Sequence, residues 1–112
     1  MEQPFKQYKL NDSVTIQVLS YNEEMTTAQF WFNGKGFDNL DHHHPHHEVN
    51  IVLAGEFNAT NGMEQQKVFP GQVVSIPAGA VHDMECLSPA GSMITVWTPA
   101  RKDIIEKYTE RA

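Results

Sequence analysis

The sequence is poor in the features that mark secreted, membrane or nucleic-acid-binding proteins. Its single cysteine, Cys86, cannot form an internal disulfide, which suits a reducing compartment such as the cytoplasm. It has no apolar run of membrane-spanning length, and its first residues lack the charged-then-apolar pattern of a secretion signal. Eight basic residues stand against fourteen acidic ones, and the net charge of -6 argues against a nucleic-acid partner. We therefore expect a cytoplasmic protein that binds a small molecule.

The composition and the hydrophobic pattern predict one β-rich domain that spans residues 1–112. A chain of 112 residues with 40% hydrophobic side chains is large enough for one core but not for two. Short alternating or apolar segments are separated by Gly, Pro and Asn-Gly turns, as in antiparallel sandwiches and barrels. The predicted strands cover residues 14–18, 27–32, 49–53, 56–60, 72–76 and 93–97.

Five of the six histidines lie between residues 41 and 48, and the sixth is His82. Imidazole and carboxylate groups bind divalent transition metals without thiolates. A solvated loop is the alternative interpretation of an isolated histidine run. An expression tag does not fit, because the run is internal, is interrupted by Pro45 and precedes an apolar strand. The leading hypothesis is a metal site assembled from two distant segments.

The histidines also fit a spacing frame that resembles the two signature motifs of the cupin superfamily. The positions that fit are Gly36, His42, His44, Glu48 and Gly55 in the first motif, and Gly71, Pro77, Gly79 and His82 in the second. Cys86 departs from the pattern, because the family usually has Asn there. The resemblance implies an all-β fold, a cupin-type antiparallel β-barrel (jelly roll), to which the sequence adds a short C-terminal helix.

Strand parity and this frame select the predicted metal ligands, which are His42, His44, Glu48 and His82. Alternate residues of a strand share a face, so the first three can all point inward. A frame shifted to His44 and His46 fails, because it makes Asn50 a ligand and puts Phe57 where the turn needs Gly. The remaining imidazoles are predicted to be rim or outer-shell groups: His43, His46 and His47. Cys86 shares the parity of His82 and is predicted to be a small buried hydrophobic residue.

The end of the chain predicts a helix that begins near Pro99, with Thr98 as its cap. Ile104, Ile105 and Tyr108 would form its apolar face. This face would pack on the barrel or on a partner subunit, since cupins commonly dimerise. The resemblance therefore also implies a homodimer.

A narrower resemblance links the chain to the small cupins that process unsaturated uronates in pectin and alginate degradation. It includes residues 44–46, 52–57 and 97–101. In the last of these segments, the family's aromatic, Pro and Arg positions are matched by Trp97, Pro99 and Arg101. Thr95 occupies the position of the family's Asp, and Glu48 that of its usual Gln. The resemblance and the strand parity predict a substrate face formed by Thr95 and Trp97 and closed by Arg101, which would hold a small organic anion.

Three function classes follow from one divalent ion (Ni, Fe, Mn, Zn or Cu) with three imidazoles and one carboxylate. The first is metal-dependent isomerisation or linearisation of an unsaturated uronate or related sugar acid, in which the metal stabilises enolate-like charge. The second is a dioxygenase acting on a small organic substrate. The third is non-catalytic metal or ligand binding.

Overall fold

The computed structural model describes residues 3–38, 40 and 45–112. Within these residues the chain forms nine strands and one helix. The strands are β1 (Gln7–Lys9), β2 (Val14–Tyr21), β3 (Thr26–Phe32), β4 (His47–Ala54), β5 (Phe57–Asn61), β6 (Glu64–Val68), β7 (Val73–Ile76), β8 (His82–Cys86) and β9 (Gly91–Thr98), and the helix is α1 (Lys102–Tyr108).

The strands form two sheets whose paired neighbours are all antiparallel. The first sheet has the order β1-β2-β3-β9-β4-β7, and the second has the order β6-β5-β8. Because β4 and β5 follow each other but belong to different sheets, the chain crosses between the layers at Gly55 and Glu56. The predicted antiparallel β-barrel with a short C-terminal helix is confirmed. No helix within the described residues has the length and apolarity needed to cross a membrane.

The core lies between the two sheets and is filled mainly by alternate residues of the inner strands. In β3, Phe30 and Phe32 are buried, whereas Trp31 points to the opposite face and is half-buried. Phe32 meets Phe57 of the second sheet edge to face, with ring centroids 5.1 Å apart. Cys86 is fully buried in the same core, as predicted for a small hydrophobic residue.

The helix begins at Lys102, so the predicted start near Pro99 is wrong by three residues. Thr98 cannot cap a helix here, because it is the last residue of β9 and pairs with His47 of β4. Arg101 occupies the N-cap position without a side-chain cap. Ile104 is buried, and the helix packs against β2 of its own barrel.

Candidate metal centre

Glu48 and His82 come together in the barrel interior although they lie 34 residues apart. Glu48 is the second residue of β4 in the first sheet, and His82 is the first residue of β8 in the second sheet. Both are buried, at 6% and 3% exposure, and His82 Nε2 lies 3.1 Å from Glu48 Oε1. The neighbouring His47 is exposed, as expected from the alternation of β4. The fold therefore brings one predicted ligand from each motif into contact.

The contact of His82 Nδ1 shows which nitrogen of the ring carries the hydrogen. Nδ1 lies 2.9 Å from the carbonyl oxygen of Ala80, and a carbonyl can only accept a hydrogen bond, so Nδ1 carries the hydrogen. In a neutral ring this leaves Nε2 with its lone pair directed at a carboxylate oxygen. Two electron-pair donors at 3.1 Å require a proton or a metal cation between them. A carbonyl that accepts from the other ring nitrogen is also the usual partner of a histidine that binds a metal.

The Glu48 carboxylate is also held by two residues that donate to it. Trp97 Nε1 donates to Oε1 at 2.7 Å, and Asn50 Nδ2 donates to Oε2 at 2.8 Å. Asn50 in turn accepts a hydrogen bond from Thr95 Oγ1 at 2.6 Å. Since β4 pairs with β9, Glu48 stands opposite Trp97 and Asn50 stands opposite Thr95. The sheet register therefore places all four side chains on one inner face.

Two of the four predicted ligands, His42 and His44, lie outside the described residues, as does His43. Among the residues that the structure describes, no group of three His, Cys, Asp or Glu side chains is placed to hold a metal. The four-ligand set stays a prediction, of which Glu48 and His82 form the described half.

Arg101 is buried at 2% exposure rather than standing at an open rim. Its Nε and one terminal nitrogen donate to the two oxygens of Asp103, at 2.9 and 2.7 Å. Its guanidinium carbon lies 5.1 Å from the centre of the Trp97 ring, within cation-π range. A carboxylate ligand would have to compete with Asp103 for this edge of the guanidinium. The predicted anion-binding role of Arg101 stays a prediction.

The hydrogen bonds from Arg101 hold the pKa of the Asp103 carboxyl below its usual range. A depressed carboxyl pKa stabilises the folded state above the unfolded value of 3.8, and this contribution is lost as the pH falls through the folded-state pKa. The contribution is modest, because the Asp103 side chain is 54% exposed and solvent screens the pair.

His46, a predicted rim residue, is half-buried against the segment that precedes the helix. Its Nε2 lies 3.2 Å from the carbonyl oxygen of Ala100 and therefore donates to it. It also lines a surface hollow of about 380 Å³ with Glu23, Pro99, Ala100, Lys102 and Asp103.

The sequence interpretation missed Asn50 and Asp103. A signal for Asn50 was available, because it shares the face of Glu48 two residues away in an alternating strand.

Comparison with known proteins agrees with this architecture. The profile of the family Cupin_2, described as a cupin domain, matches residues 32–99. A protein of Streptomyces coelicolor, SCO3923, is 29% identical over 89 residues, which cover 80% of this chain and 83% of that protein. The structure of KdgF from Halomonas sp. superposes with a TM-score of 0.79 at 19% identity and covers 88% of this chain and 90% of its own. An RmlC-like cupin from Shewanella frigidimarina also gives 0.79, at 24% identity, with 93% and 99% covered.

Proposed function

Because the chain belongs to the Cupin_2 family of cupin domains, we propose that it is a metal-dependent cupin that acts on a small organic anion. The proposed ligands of one divalent transition metal are His42, His44, Glu48 and His82. The observation that carries the proposal is the buried contact in which His82 Nε2 faces Glu48 Oε1 at 3.1 Å while Nδ1 is fixed by a carbonyl.

The donor chemistry of this set fits Ni, Fe, Mn, Zn or Cu. Three neutral imidazoles and one carboxylate leave a divalent ion with a net charge of about +1, which attracts an anion. When bound, the metal would supply Lewis-acid stabilisation of negative charge on the ligand. Burial of Glu48 and His82 at 6% and 3% exposure keeps water away from this contact and strengthens its electrostatic interactions.

We propose isomerisation or linearisation of an unsaturated uronate or related sugar acid as the reaction. Support comes from the motif that ends in Trp97, Pro99 and Arg101, which resembles the uronate-processing cupins. In this chain Trp97 and Thr95 would shape the inner wall. Thr95 stands where that family has Asp, and its hydroxyl hydrogen is already donated to Asn50. This contact favours a second candidate, non-catalytic binding of the anion, because Thr95 is not free to transfer a proton.

Turnover measurements on tag-free, metal-loaded protein separate these functions. We expect a 4,5-unsaturated uronate to be converted to a linear keto sugar at the same rate with and without dioxygen. The loss of the absorbance of its double bond measures this conversion. Conversion that requires and consumes dioxygen would instead identify a dioxygenase. Saturable binding of the sugar acid without conversion would identify the non-catalytic function.

Arg101 offers a test of the anion site through a pair of variants. We expect Arg101→Ala to weaken sugar-acid binding about 10-fold or more, since it removes a charge-assisted hydrogen-bond donor worth about 1.5–3 kcal/mol. Arg101→Lys should rescue only part of this, because an ammonium lacks the planar fork. Isothermal titration with a saturated uronate measures the affinity, and metal analysis should show unchanged metal content in both variants.

Asp103→Asn is the matched control for Arg101, because it keeps the guanidinium and replaces the competing carboxylate with a neutral amide. If Arg101 binds the anion, Asp103→Asn should bind the uronate at least as tightly as the parent. If Arg101 is purely structural, both substitutions lower the stability, and neither changes the affinity. That second outcome would withdraw the anion-binding role from Arg101.

We also propose that the protein is a homodimer that uses the outer face of its first sheet. Across β2, β3, β9, β4 and β7 this face carries no Asp, Glu, Lys or Arg in a chain of net charge -6. At its centre Ile51 lies opposite both Ile94 and Val73, and Val49 lies opposite Val96. A face without Asp or Glu brings no carboxylates into contact when two acidic copies meet, and sheets pack well face to face.

Sedimentation equilibrium tests this interface directly. The parent should have about twice the 12.7 kDa chain mass. Ile51→Lys should shift the equilibrium to the monomer, whereas Gln65→Lys on the exposed strand β6 should not. A monomeric parent at micromolar concentration would rule the dimer out.

A further inference from the structure

A buried line of hydrogen bonds leads from Thr95 through Asn50 to the Glu48 carboxylate. Thr95 Oγ1 donates to Asn50 Oδ1 at 2.6 Å, and Asn50 Nδ2 donates to Glu48 Oε2 at 2.8 Å. Thr95 and Asn50 are almost fully buried, at 1% and 0% exposure. Water is therefore unable to replace either bond, and the loss of one bond leaves an unsatisfied polar group.

The direction of the line follows from the chemistry of its two ends. An ionised carboxylate can only accept, so the Asn50 amide must turn its NH2 group toward Oε2 and its carbonyl toward Thr95. The threonine hydroxyl donates to that carbonyl and opposes a flip of the amide. A flipped amide would put its oxygen against the carboxylate, which repels it.

The two oxygens of Glu48 are therefore in different environments. Oε2 is held by Asn50, whereas Oε1 lies between Trp97 Nε1 and His82 Nε2, at 2.7 and 3.1 Å. Only Oε1 faces the other described ligand. The sheet register fixes this difference, because Asn50 stands opposite Thr95 and Glu48 opposite Trp97.

We propose that Thr95 and Asn50 are positioning residues that make Glu48 a metal ligand through Oε1 alone. This inference rests on the proposed function and deepens it. The threonine that replaces the uronate family's Asp thereby gains a role: it sets the orientation of a ligand instead of transferring a proton. Partners that orient metal ligands typically change metal affinity about 10- to 100-fold when they are removed.

The test compares Thr95→Val with Thr95→Ser. Valine keeps the shape of threonine and removes the hydroxyl, whereas serine keeps the hydroxyl. We expect Thr95→Val to bind Co²⁺ about 10- to 100-fold more weakly than the parent in competition with a chelator. Its Co²⁺ visible absorption bands should also change, because they report the geometry of the bound ligands. Thr95→Ser should keep the parental spectrum and bind within about 3-fold of the parent, since the donor to Asn50 remains.

A double variant, Thr95→Val with Asn50→Leu, covers the case in which Thr95→Val does not fold. Replacing both partners with apolar groups of similar size leaves neither of these two side chains unsatisfied, and thermal unfolding of the metal-free double variant shows whether it folds without the donor to Glu48 Oε2. It still lacks the donor to Oε2 and should show the same weak Co²⁺ binding and altered spectrum.

The outcomes separate this inference from the proposed function. Parental Co²⁺ affinity and spectrum in Thr95→Val or in the double variant would overturn the positioning role while leaving the metal site intact. Equal loss in Thr95→Val and Thr95→Ser would also overturn it, because packing rather than the hydroxyl would then be responsible. Failure of the parent itself to bind Co²⁺ would overturn the metal site and this inference together.

Discussion

His82→Ala is expected to remove stoichiometric metal from the protein. His82 is the predicted ligand from the second motif, and its Nε2 faces Glu48 across the barrel at 3.1 Å. The substitution should weaken metal affinity by more than about 100-fold, because even the outer-shell partners of metal ligands are worth 10- to 100-fold. The measurement is metal content after dialysis of tag-free protein, supported by chelator competition.

His47→Ala is the matched control for this variant. His47 is the neighbour of Glu48 in β4, but it is exposed on the outer face, so its removal should leave the metal content within about 20% of the parent. Equal losses in the two variants would mean that His47 is also a ligand and that the predicted ligand register is wrong. Unchanged metal in His82→Ala would mean that the second motif contributes no ligand.

Gly55→Ala is expected to cause the largest loss of stability. Gly55 lies where the chain crosses between the sheets, with φ at +82°. A Cβ there would stand 2.5 Å from the carbonyl oxygen of Ala90 and 2.8 Å from Cα of Gly91. Both contacts are with backbone and cannot turn away. We expect a loss of about 3–5 kcal/mol in the free energy of unfolding, from strain and overpacking together.

Gly71→Ala isolates the steric part of this effect. Gly71 has nearly the same φ, +86°, but a Cβ there would meet nothing within 4 Å. Gly71→Ala should therefore lower the free energy of unfolding only by the conformational strain, about 1–2 kcal/mol. Urea unfolding of both variants measures the difference. Similar losses would show that the approach of Gly55 to the 90–91 backbone is not a constraint on the fold.

Much of the fold could be predicted because its inner strands alternate between buried and exposed residues. β3 shows this pattern over its whole length, and β4 over its first six residues. Three strands lie outside the predicted ranges, and two of them, β1 and β6, lack this alternation. Four of the five residues in β6 are exposed, and β1 has only three residues, so neither carries an apolar period. These strands form because they pair with a neighbour, which a local pattern does not reveal.

Some residues of the candidate site could likewise be predicted from the sequence pattern, whereas others depend on how the chain folds. Glu48 and His82 could be selected by motif spacing and strand parity, and the structure brings them into contact. The hydrogen bonds from Arg101 to Asp103 could not be predicted in this way, because they depend on where the helix begins. The Thr98-Pro99 pair gives a helix-start signal, but pairing of Thr98 with His47 in the sheet overrides it.

The most direct test of the central claim is anomalous diffraction from a crystal of the tag-free protein grown with Co²⁺. We expect one site per chain within about 2.0–2.2 Å of both His82 Nε2 and Glu48 Oε1. His42 and His44 should complete its protein ligands. A site on His43, His46 or His47 instead, or no ordered site at full Co²⁺ loading, would contradict the account.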